Sequence, residues 1–253
     1  MSDLSQLKDD LVTANRILAD HNVVDAFGHV SIRHPEKPDH FLMSRARAPM
    51  CVDIGDIMEF TLEGDIVGVA PGKPYSERFI HGAVLEARPD VMAVVHNHSP
   101  NIVPFTVVKK QCFCAMMHMA APVGRDVPNW DIRDKFGDTN LLVTGMEMGR
   151  DLAKTLGTRT VALMRGHGCV VVGKSLREVV FTSIYTEMNA QMLGKALALG
   201  EVTYLSDGEI AASARGRAGF TLERGWENWC RRVDRPYYAL AWEMGPGFSE
   251  TDK

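Results

Sequence analysis

The sequence lacks the features that mark membrane-spanning, secreted and nucleic-acid-binding proteins. No apolar run in its 253 residues approaches the roughly 20 that span a bilayer. Basic residues are scattered, and a net charge of −4 gives no long-range attraction to phosphate backbones or anionic lipid. The first residues show no basic segment followed by an apolar stretch, so no signal peptide is expected. We therefore expect a cytoplasmic protein that binds neither nucleic acid nor membrane.

The sequence also lacks the patterns typical of a disulfide framework and of a domain boundary. The five cysteines are odd in number and form no Cys-x-x-Cys, which fits a reducing compartment. Repeats, low-complexity blocks and Gly/Ser linkers are absent, so residues 1–253 are expected to form one domain. Residues 216–253 form an aromatic-rich tail with three of the four tryptophans. This tail could cover the core or a neighbouring subunit, or line a substrate pocket.

The residue pattern alternates between short strands and helices. Residues 3–21 carry apolar side chains at helical intervals, and Ser76 predicts the N-cap of a second helix that runs to about Ala87. Ser175–Leu199 reads as a long third helix. Strands are predicted at 28–33, 40–44, 57–61, 66–69, 91–95, 161–164 and 169–172.

Three histidines follow predicted strands. Alternate residues of a strand point to one face, so His96 and His98 present two imidazoles side by side, an arrangement that can chelate a metal. A structural pair or two surface histidines would show the same spacing. His167 lies between two glycines at a predicted hairpin tip, where a turn residue is the alternative explanation. Together they match a catalytic metal site, which uses three protein ligands and keeps one position open.

An acidic residue precedes the histidine pair. Glu77 lies at the first turn of the predicted second helix, where the positive helix end favours a carboxylate. It is a candidate acid/base, and a capping carboxylate is the alternative. His81 lies on the same helical face, and we expect it to pack or to form hydrogen bonds.

Three segments together resemble the class II aldolase/adducin family in order and spacing: YSERFIH at 75–81, RPDVMAVVHNH at 88–98 and RGHG at 165–168. The resemblance runs from about residue 5 to residue 205. It implies a three-layer α/β/α fold with a central, mainly antiparallel sheet, and a homotetramer with active sites at subunit interfaces. It also implies one divalent metal ion per subunit, held by His96, His98 and His167, with Glu77 as the catalytic acid/base. Manganese, zinc, cobalt and iron all remain open, since a three-histidine site accommodates each.

The phosphate-binding segments of the family's sugar-phosphate aldolases are altered. A Gly-Asn-x-Ser stretch becomes GHVS at 28–31, and a Thr-Pro-Ser/Thr-Gly turn becomes MSRAR at 43–47. Arg45 and Arg47 bring guanidinium groups that suit carboxylates, although either could instead pair with a surface carboxylate. We therefore expect a non-phosphorylated acid as substrate. The substrate-binding candidates are Ser31, Ser44, Arg45, Arg47, Ser76 and Tyr185.

Two of these assignments have open alternatives. His29 replaces an amide and could donate to substrate or act as a second proton carrier, since imidazole titrates near neutrality; a structural turn histidine is the alternative. Tyr185 lies on the long third helix, where core packing would also explain it.

A branch of the family gives the most specific hypothesis. The segments FGHVS at 27–31, SRARAP at 44–49 and DIR at 131–133 are similar to hydroxyaromatic acid decarboxylases, among them the hydroxymethylpyridine dicarboxylate and dihydroxyphthalate enzymes. The resemblance implies a metal-dependent carbon–carbon lyase of aromatic catabolism that decarboxylates a hydroxylated aromatic or pyridine (di)carboxylic acid through an enolate-type intermediate. A retro-aldolase acting on a non-phosphorylated hydroxyacid or sugar, oxygen-dependent chemistry and a non-catalytic adducin-like interaction module are the alternatives.

Overall fold

An eight-stranded sheet forms the middle layer of the protein. The computed structural model describes residues 3–109, 113–215 and 219–239. The strand order is β4-β3-β2-β1-β5-β8-β7-β6, and every neighbouring pair is antiparallel except β6 with β7. The expected mainly antiparallel sheet is confirmed. Its strands are β1 (His29–Arg33), β2 (His40–Ser44), β3 (Ile57–Thr61), β4 (Ile66–Val67), β5 (Ala93–Asn97), β6 (Asn129–Trp130), β7 (Val161–Met164) and β8 (Gly168–Gly173).

Helices cover both faces of the sheet, which completes the expected three-layer α/β/α architecture. The described helices are α1 (Asp3–Asp20), α2 (Arg78–Ala87), α3 (Val103–Val107), α4 (Arg133–Phe136), α5 (Met146–Leu156), α6 (Leu176–Leu199), α7 (Asp207–Arg215) and α8 (Phe220–Arg232). Short 3₁₀ turns occupy Pro49–Cys51, Ile54–Asp56 and His118–Val123. No helix in these described ranges is long and apolar enough to cross a membrane.

Strand alternation divides the core into two parts. On one face, side chains such as Val30 and Val95 pack with α1, α6 and α8. On the other face, side chains such as Met43, Val94 and Val170 pack with α2 and α5. The histidines of β1 and β5 belong to this second face, because His29 and His96 are one residue removed from Val30 and Val95. These two histidines therefore lie on the face of the sheet that α2 covers.

Helix α2 is held close to α5 by a glycine. A Cβ atom on Gly149 would collide with the Phe79 carbonyl oxygen and come within 2.9 Å of the Ala83 methyl group. The absence of a side chain at this position lets the two helices approach closely. Since Glu77 immediately precedes α2, this packing fixes the carboxylate relative to the sheet.

Several predicted boundaries differ from the structure, and two of these differences lie next to the histidines. The N-cap of α2 is Glu77, not Ser76, and its carboxylate makes no capping hydrogen bond. Strand β5 begins at Ala93 rather than Val91 and includes His96. The shift arises because the Val91 N–H bonds back to the Arg88 carbonyl and so closes the turn after α2.

The described part of the C-terminal segment packs on the core. Helix α8 buries Trp226 and Trp229 against the layer formed by α1 and α6. Trp242 and the rest of residues 240–253 lie outside the described residues. The predicted start of the long helix is confirmed, since the Ser175 hydroxyl caps α6 by accepting the Glu178 N–H.

Candidate metal centre

Two neighbouring strand ends bring the three histidines together. His96 lies in β5, His98 follows that strand, and His167 occupies the turn that joins β7 to β8. Strands β5 and β8 are paired with Asn97 opposite Cys169. A side chain on Gly168 would collide with the Asn97 carbonyl, so only glycine lets the turn approach this closely. The fold thus places His167 beside His98.

The ring nitrogens converge on one point. The Nε2 atom of His98 is 3.0 Å from Nε2 of His96 and 3.0 Å from Nε2 of His167. One Nε2 atom carries either one proton or one lone pair, so hydrogen bonds alone do not account for both contacts. Three nitrogens bound tetrahedrally at about 2.0–2.1 Å from an ion would be roughly 3.3 Å apart. The three histidines therefore fit a divalent metal ion.

A carboxylate completes the cluster. The Oε2 atom of Glu77 lies 3.7 Å from Nε2 of His96 and 3.6 Å from Nε2 of His167. Its other oxygen, Oε1, accepts the Val143 N–H at 2.9 Å. The four candidate ligand atoms all lie within 4.8 Å of one another. Glu77 is thus close enough either to join the metal ligands or to exchange protons with a molecule bound beside them.

A backbone carbonyl sets the tautomer of His96 in the candidate metal centre. The Nδ1 atom of His96 is 3.1 Å from the Cys169 carbonyl oxygen, which can only accept, so the ring proton is on Nδ1. Its Nε2 atom therefore keeps a lone pair for a metal, as in the supporting contacts common around metal-bound histidines. Next to His167, Arg165 pairs with Asp131 of the DIR segment at 2.5 Å.

Burial sets the protonation of the cluster. Burial and the neighbouring histidines hold the pKa of His96 well below its usual value. Burial also lowers the pKa of His98 and of His167, although the Glu77 carboxylate opposes the shift at His167. The neutral ring that a metal ligand needs is therefore favoured near pH 7. Burial raises the pKa of Glu77, against the effects of His167 and the Val143 N–H, and so moves it towards the range of a general acid/base.

His29 lies next to the candidate metal centre. It is paired with His96 across β1 and β5, and the two ring centres are 5.1 Å apart. On its other side, its ring packs against Tyr75 with centres 4.6 Å apart. Its Nδ1 atom is 2.6 Å from Nε2 of His81, and Nδ1 of His81 is 2.6 Å from the Ser31 hydroxyl. Burial lowers the pKa of His29 well below its usual value and that of His81 to about 3.

The two candidate arginines pair with one buried carboxylate. Arg45 Nε lies 2.6 Å from Asp56 Oδ1, and Arg47 Nη1 lies 2.6 Å from Asp56 Oδ2. Burial alone would raise the pKa of Asp56, but hydrogen bonds from the Asp53 backbone, Arg45 and Arg47 lower it. The β1–β2 register pairs Ser31 with Met43, so the segment that carries Arg45 continues from the strand next to the one that carries His29. The arginines thus pair with a carboxylate, and the Arg47 backbone contacts the Tyr75 hydroxyl, whose ring packs on His29.

The candidate hydroxyl groups are placed unevenly. Ser31 and Ser44 are fully buried, and Ser31 is bonded to His81. Ser76 is exposed beside Glu77. Tyr185 packs against Phe181 on α6, which covers the opposite face of the sheet from the histidines. Within one chain, the structure therefore brings Ser76 near the metal centre and leaves Tyr185 away from it.

Sequence patterns did not identify three residues that organise the site. Asp56 orients both arginines, Val143 anchors Glu77 through its backbone, and the Tyr75 hydroxyl donates to the Arg47 carbonyl. Val143 is far from Glu77 in the sequence, and Asp56 lies in an irregular turn. No residue spacing in the sequence indicates either contact. Tyr75 lies within the YSERFIH segment, and its position there was the available signal.

Comparison with known proteins gives one consistent result. The family described as Class II Aldolase and Adducin N-terminal domain matches residues 9–193. Decarboxylase tropJ of Talaromyces stipitatus is 33% identical over 250 residues, which cover 88% of this chain and 92% of the relative. The 3,4-dihydroxyphthalate decarboxylase of Arthrobacter keyseri is 26% identical over 243 residues, covering 89% and 93%. The solved L-fuculose 1-phosphate aldolase from Glaciozyma antarctica PI12 has the same fold, with a TM-score of 0.74 at 22% identity over 93% of each chain.

Proposed function

Because this chain belongs to the class II aldolase and adducin family, we propose that it is a metal-dependent lyase that decarboxylates a hydroxylated aromatic or pyridine carboxylic acid. The comparisons support the coarser class, a decarboxylase or aldolase-type lyase. The observation that carries the proposal is the convergence of three histidine Nε2 atoms beside one Glu77 oxygen. The two decarboxylases that match nearly the whole chain favour a carboxylate as the leaving group.

The histidines and Glu77 would have different roles in such a reaction. A divalent ion held by His96, His98 and His167 would supply a positive charge that polarises a substrate oxygen and stabilises the negative charge left after bond cleavage. When the carbon–carbon bond breaks, carbon dioxide leaves and the electron pair stays on the ring carbon, which then needs one proton. Glu77 is suited to provide it, because its raised pKa favours the protonated form and its Oε2 atom faces the histidines.

The arginines favour a substrate with a second carboxylate. Asp56 occupies one nitrogen of Arg45 and one of Arg47, and the remaining guanidinium nitrogens have no partner among the described residues. Free guanidinium N–H groups bind carboxylates in a bidentate geometry. Since Arg47 contacts Tyr75, whose ring packs on His29, a carboxylate bound at the arginines would hold the ring of the substrate next to the candidate metal centre. This arrangement replaces the phosphate cradle of the sugar-phosphate aldolases.

An interaction module without catalysis is disfavoured by the same contacts. A module that only binds partners has no need of three converging histidines, a Glu77 side chain anchored on Val143 and a His96 ring oriented by the Cys169 carbonyl. These contacts prepare a metal ligand set, as supporting groups around catalytic metals do.

A homotetramer with active sites at subunit interfaces forms part of the proposal. Phe27 is 66% exposed only two residues from His29, and Val107 and Val108 are also exposed in the single chain. Apolar side chains exposed next to a site are typical of a surface that another subunit or a ligand covers. Sedimentation velocity of the purified protein would test this part separately from the chemistry.

The test follows two products at once. Protein reconstituted with manganese, zinc, cobalt or iron would be incubated with hydroxylated aromatic and pyridine dicarboxylates, with hydroxyacids and sugars as controls. We expect carbon dioxide release that depends on the metal and stops with a chelator. Aldehyde without carbon dioxide would show an aldolase instead, and carbon dioxide release that persists in metal-free protein would refute the metal-dependent mechanism. Repeating active assays without oxygen separates decarboxylation from oxygen-dependent chemistry.

A further inference from the structure

A buried chain of three side chains leads from the core to the edge of the metal centre. The Ser31 hydroxyl lies 2.6 Å from Nδ1 of His81, and Nε2 of His81 lies 2.6 Å from Nδ1 of His29. Ser31 and His81 are both 0% exposed, and His29 is 3% exposed. Each contact is short enough to be a strong hydrogen bond, so each needs one donor and one acceptor.

The Ser31 hydroxyl determines which group of this hydrogen-bonded chain donates at each contact. Among the described residues, the Ser31 hydroxyl has no hydrogen-bond partner other than His81. If the hydroxyl accepted from His81, its own hydrogen would be buried without an acceptor, which is unfavourable. Ser31 therefore donates, and Nδ1 of His81 accepts.

The donor and acceptor roles at Ser31 determine those between His81 and His29. A neutral imidazole has one N–H and one lone pair, and burying a charged ring without a counter-ion is unfavourable. With its lone pair on Nδ1, His81 carries its proton on Nε2 and donates it to Nδ1 of His29. That acceptor nitrogen has no proton, so the single ring proton of His29 lies on Nε2.

We infer that Ser31 and His81 fix the tautomer of His29, so that His29 presents an Nε2–H donor to the substrate and does not supply the proton of the reaction. The Nε2 atom is at the far end of the ring from His81 and has no hydrogen-bond partner among the described residues. The ring lies between Tyr75 and His96, at the margin of the metal centre. The donor suits a carboxylate or phenolate oxygen, and this part rests on the proposed function.

The same chain explains why His29 does not act as the acid. If Nε2 gave its proton to a ring carbon, His29 would become an anion unless the His81 proton followed. His81 would then need the Ser31 proton, and the sequence would end on a buried serine alkoxide. This hydrogen-bonded chain contains no further proton donor that would avoid that result. The proton is left to Glu77, and Ser31 and His81 are positioning residues.

The tautomer is measurable without substrate. We would label the histidines with ¹⁵N in the full-length protein, both metal-free and zinc-loaded, and locate each ring proton by one-bond ¹⁵N–¹H coupling. Signals of His29 and His81 are assigned by their loss in the His29→Gln and His81→Gln variants. We expect protons on Nε2 of both rings and none on Nδ1 of His29. A proton on Nδ1 of His29 in either form would overturn the inference.

Matched variants separate the tautomer from simple packing. Ser31→Thr keeps the hydroxyl and should keep His29 in the Nε2–H form, whereas Ser31→Ala removes the donor and should let both tautomers appear. His81→Gln retains a donor towards His29 and an acceptor towards Ser31, so it should behave like the unchanged protein. In His81→Leu, the preference should disappear. If all four variants show the same His29 tautomer, the chain does not set it.

Turnover gives a second readout once the substrate panel identifies a substrate. His29→Gln preserves an N–H donor and His29→Leu removes it. We expect His29→Leu to raise KM roughly 10- to 100-fold, the usual effect of losing a hydrogen bond to a charged group, with a much smaller rise in His29→Gln. Equal collapse of kcat in both variants would instead show that His29 transfers the proton. Because the NMR result needs no turnover, it stands or fails independently of the decarboxylase proposal.

Discussion

The Oε1 atom of Glu77 accepts the Val143 N–H at 2.9 Å, and this contact leaves Oε2 facing the Nε2 atoms of His96 and His167 at 3.7 and 3.6 Å. Val143 precedes α5, and the close packing of α5 against α2 keeps donor and carboxylate in register. One oxygen is thus held by the backbone, and the other faces the histidines, where the proposed acid/base role requires it. This division lets a single substitution separate the two roles.

The substitution Glu77→Gln should reduce kcat by roughly 100- to 10,000-fold, the usual range for loss of a general acid or base. The amide oxygen of glutamine can still accept the Val143 N–H, so the loop before α5 should stay in place. Metal content, measured on the same preparation by mass spectrometry, should remain close to that of the unchanged protein.

A matched change outside the site controls for the loss of negative charge. Glu59 lies on β3 and pairs with Lys37 and His40. The substitution Glu59→Gln should leave kcat unchanged. Near-normal turnover in Glu77→Gln, with full metal content, would show that Glu77 is not the acid/base.

The three histidines that converge in the candidate metal centre could be predicted from sequence because they occur in short, specific segments. His96 and His98 are adjacent in one strand region, and His167 is marked by its flanking glycines. The strands His40–Ser44, Ile57–Thr61 and Val161–Met164 were predicted with the boundaries that the structure has, since Pro, Gly and Asp residues delimit them. Local patterns were sufficient for these elements.

The contacts that orient the site could not be predicted in this way. Asp56 reaches Arg45 and Arg47 only because β2 and β3 pair and the 3₁₀ turn at Ile54–Asp56 directs its carboxylate back. Helix α5 was not predicted either, although Gly149, Leu152, Ala153 and Leu156 form one buried face at helical spacing. The Asp56 contacts depend on tertiary packing, which a single sequence does not display, whereas the amphipathic pattern of α5 was present in the sequence and was missed.

The pair of contacts at Asp56 predicts a specific change in substrate recognition. Asp56→Asn would release Arg45 and Arg47 from a fixed geometry, and a second carboxylate on the substrate would then bind less well. We expect KM for a dicarboxylate to rise about 10-fold, in line with the loss of one charge-assisted hydrogen bond, with little change in kcat. Initial rates measured for a dicarboxylate and for its monocarboxylate analogue test this.

The monocarboxylate is the internal control for that experiment. A compound without the second carboxylate has no group to place at the arginines, so its KM should be similar for Asp56→Asn and the unchanged protein. An equal rise in KM for both compounds would mean that Asp56 maintains the general shape of the site and does not select a second carboxylate.

The buried His81 predicts how stability depends on pH. Burial lowers its pKa to about 3 in the folded protein, from 6.5 in the unfolded chain. Between these values, the unfolded chain binds a proton that the folded protein does not, so stability falls as pH falls from 6.5 towards 3. At pH 5 this single group should reduce the free energy of unfolding by about 2 kcal/mol relative to pH 7.

Urea unfolding of metal-free protein at pH 7 and pH 5 measures this contribution. His81→Gln removes the titrating group but can keep both hydrogen bonds, so the variant should lose about 2 kcal/mol less than the unchanged protein over this range. Parallel losses in the two proteins would show that His81 is not a main source of acid sensitivity.

Gly168 follows His167 at the point where β8 approaches the end of β5, and a single added methyl group should disturb this contact. In Gly168→Ala, the new Cβ atom would collide with the Asn97 carbonyl, and β8 must move away from β5. We expect a loss of about 1–3 kcal/mol in the free energy of unfolding, as for other overpacked sites. Because His98 follows Asn97 and His167 precedes Gly168, the same shift should separate two of the three ligands and weaken zinc binding, which competition with a chelator would measure.

A second glycine distinguishes the close contact from a general effect of adding a methyl group. Gly194 lies within α6, and a Cβ atom there would meet no heavy atom within 4 Å. Gly194→Ala should therefore stabilise the protein by roughly 0.5–1 kcal/mol, through helix propensity, and leave zinc affinity unchanged. If Gly168→Ala bound zinc as tightly as Gly194→Ala, the approach of β8 to β5 would not be what positions His98 and His167.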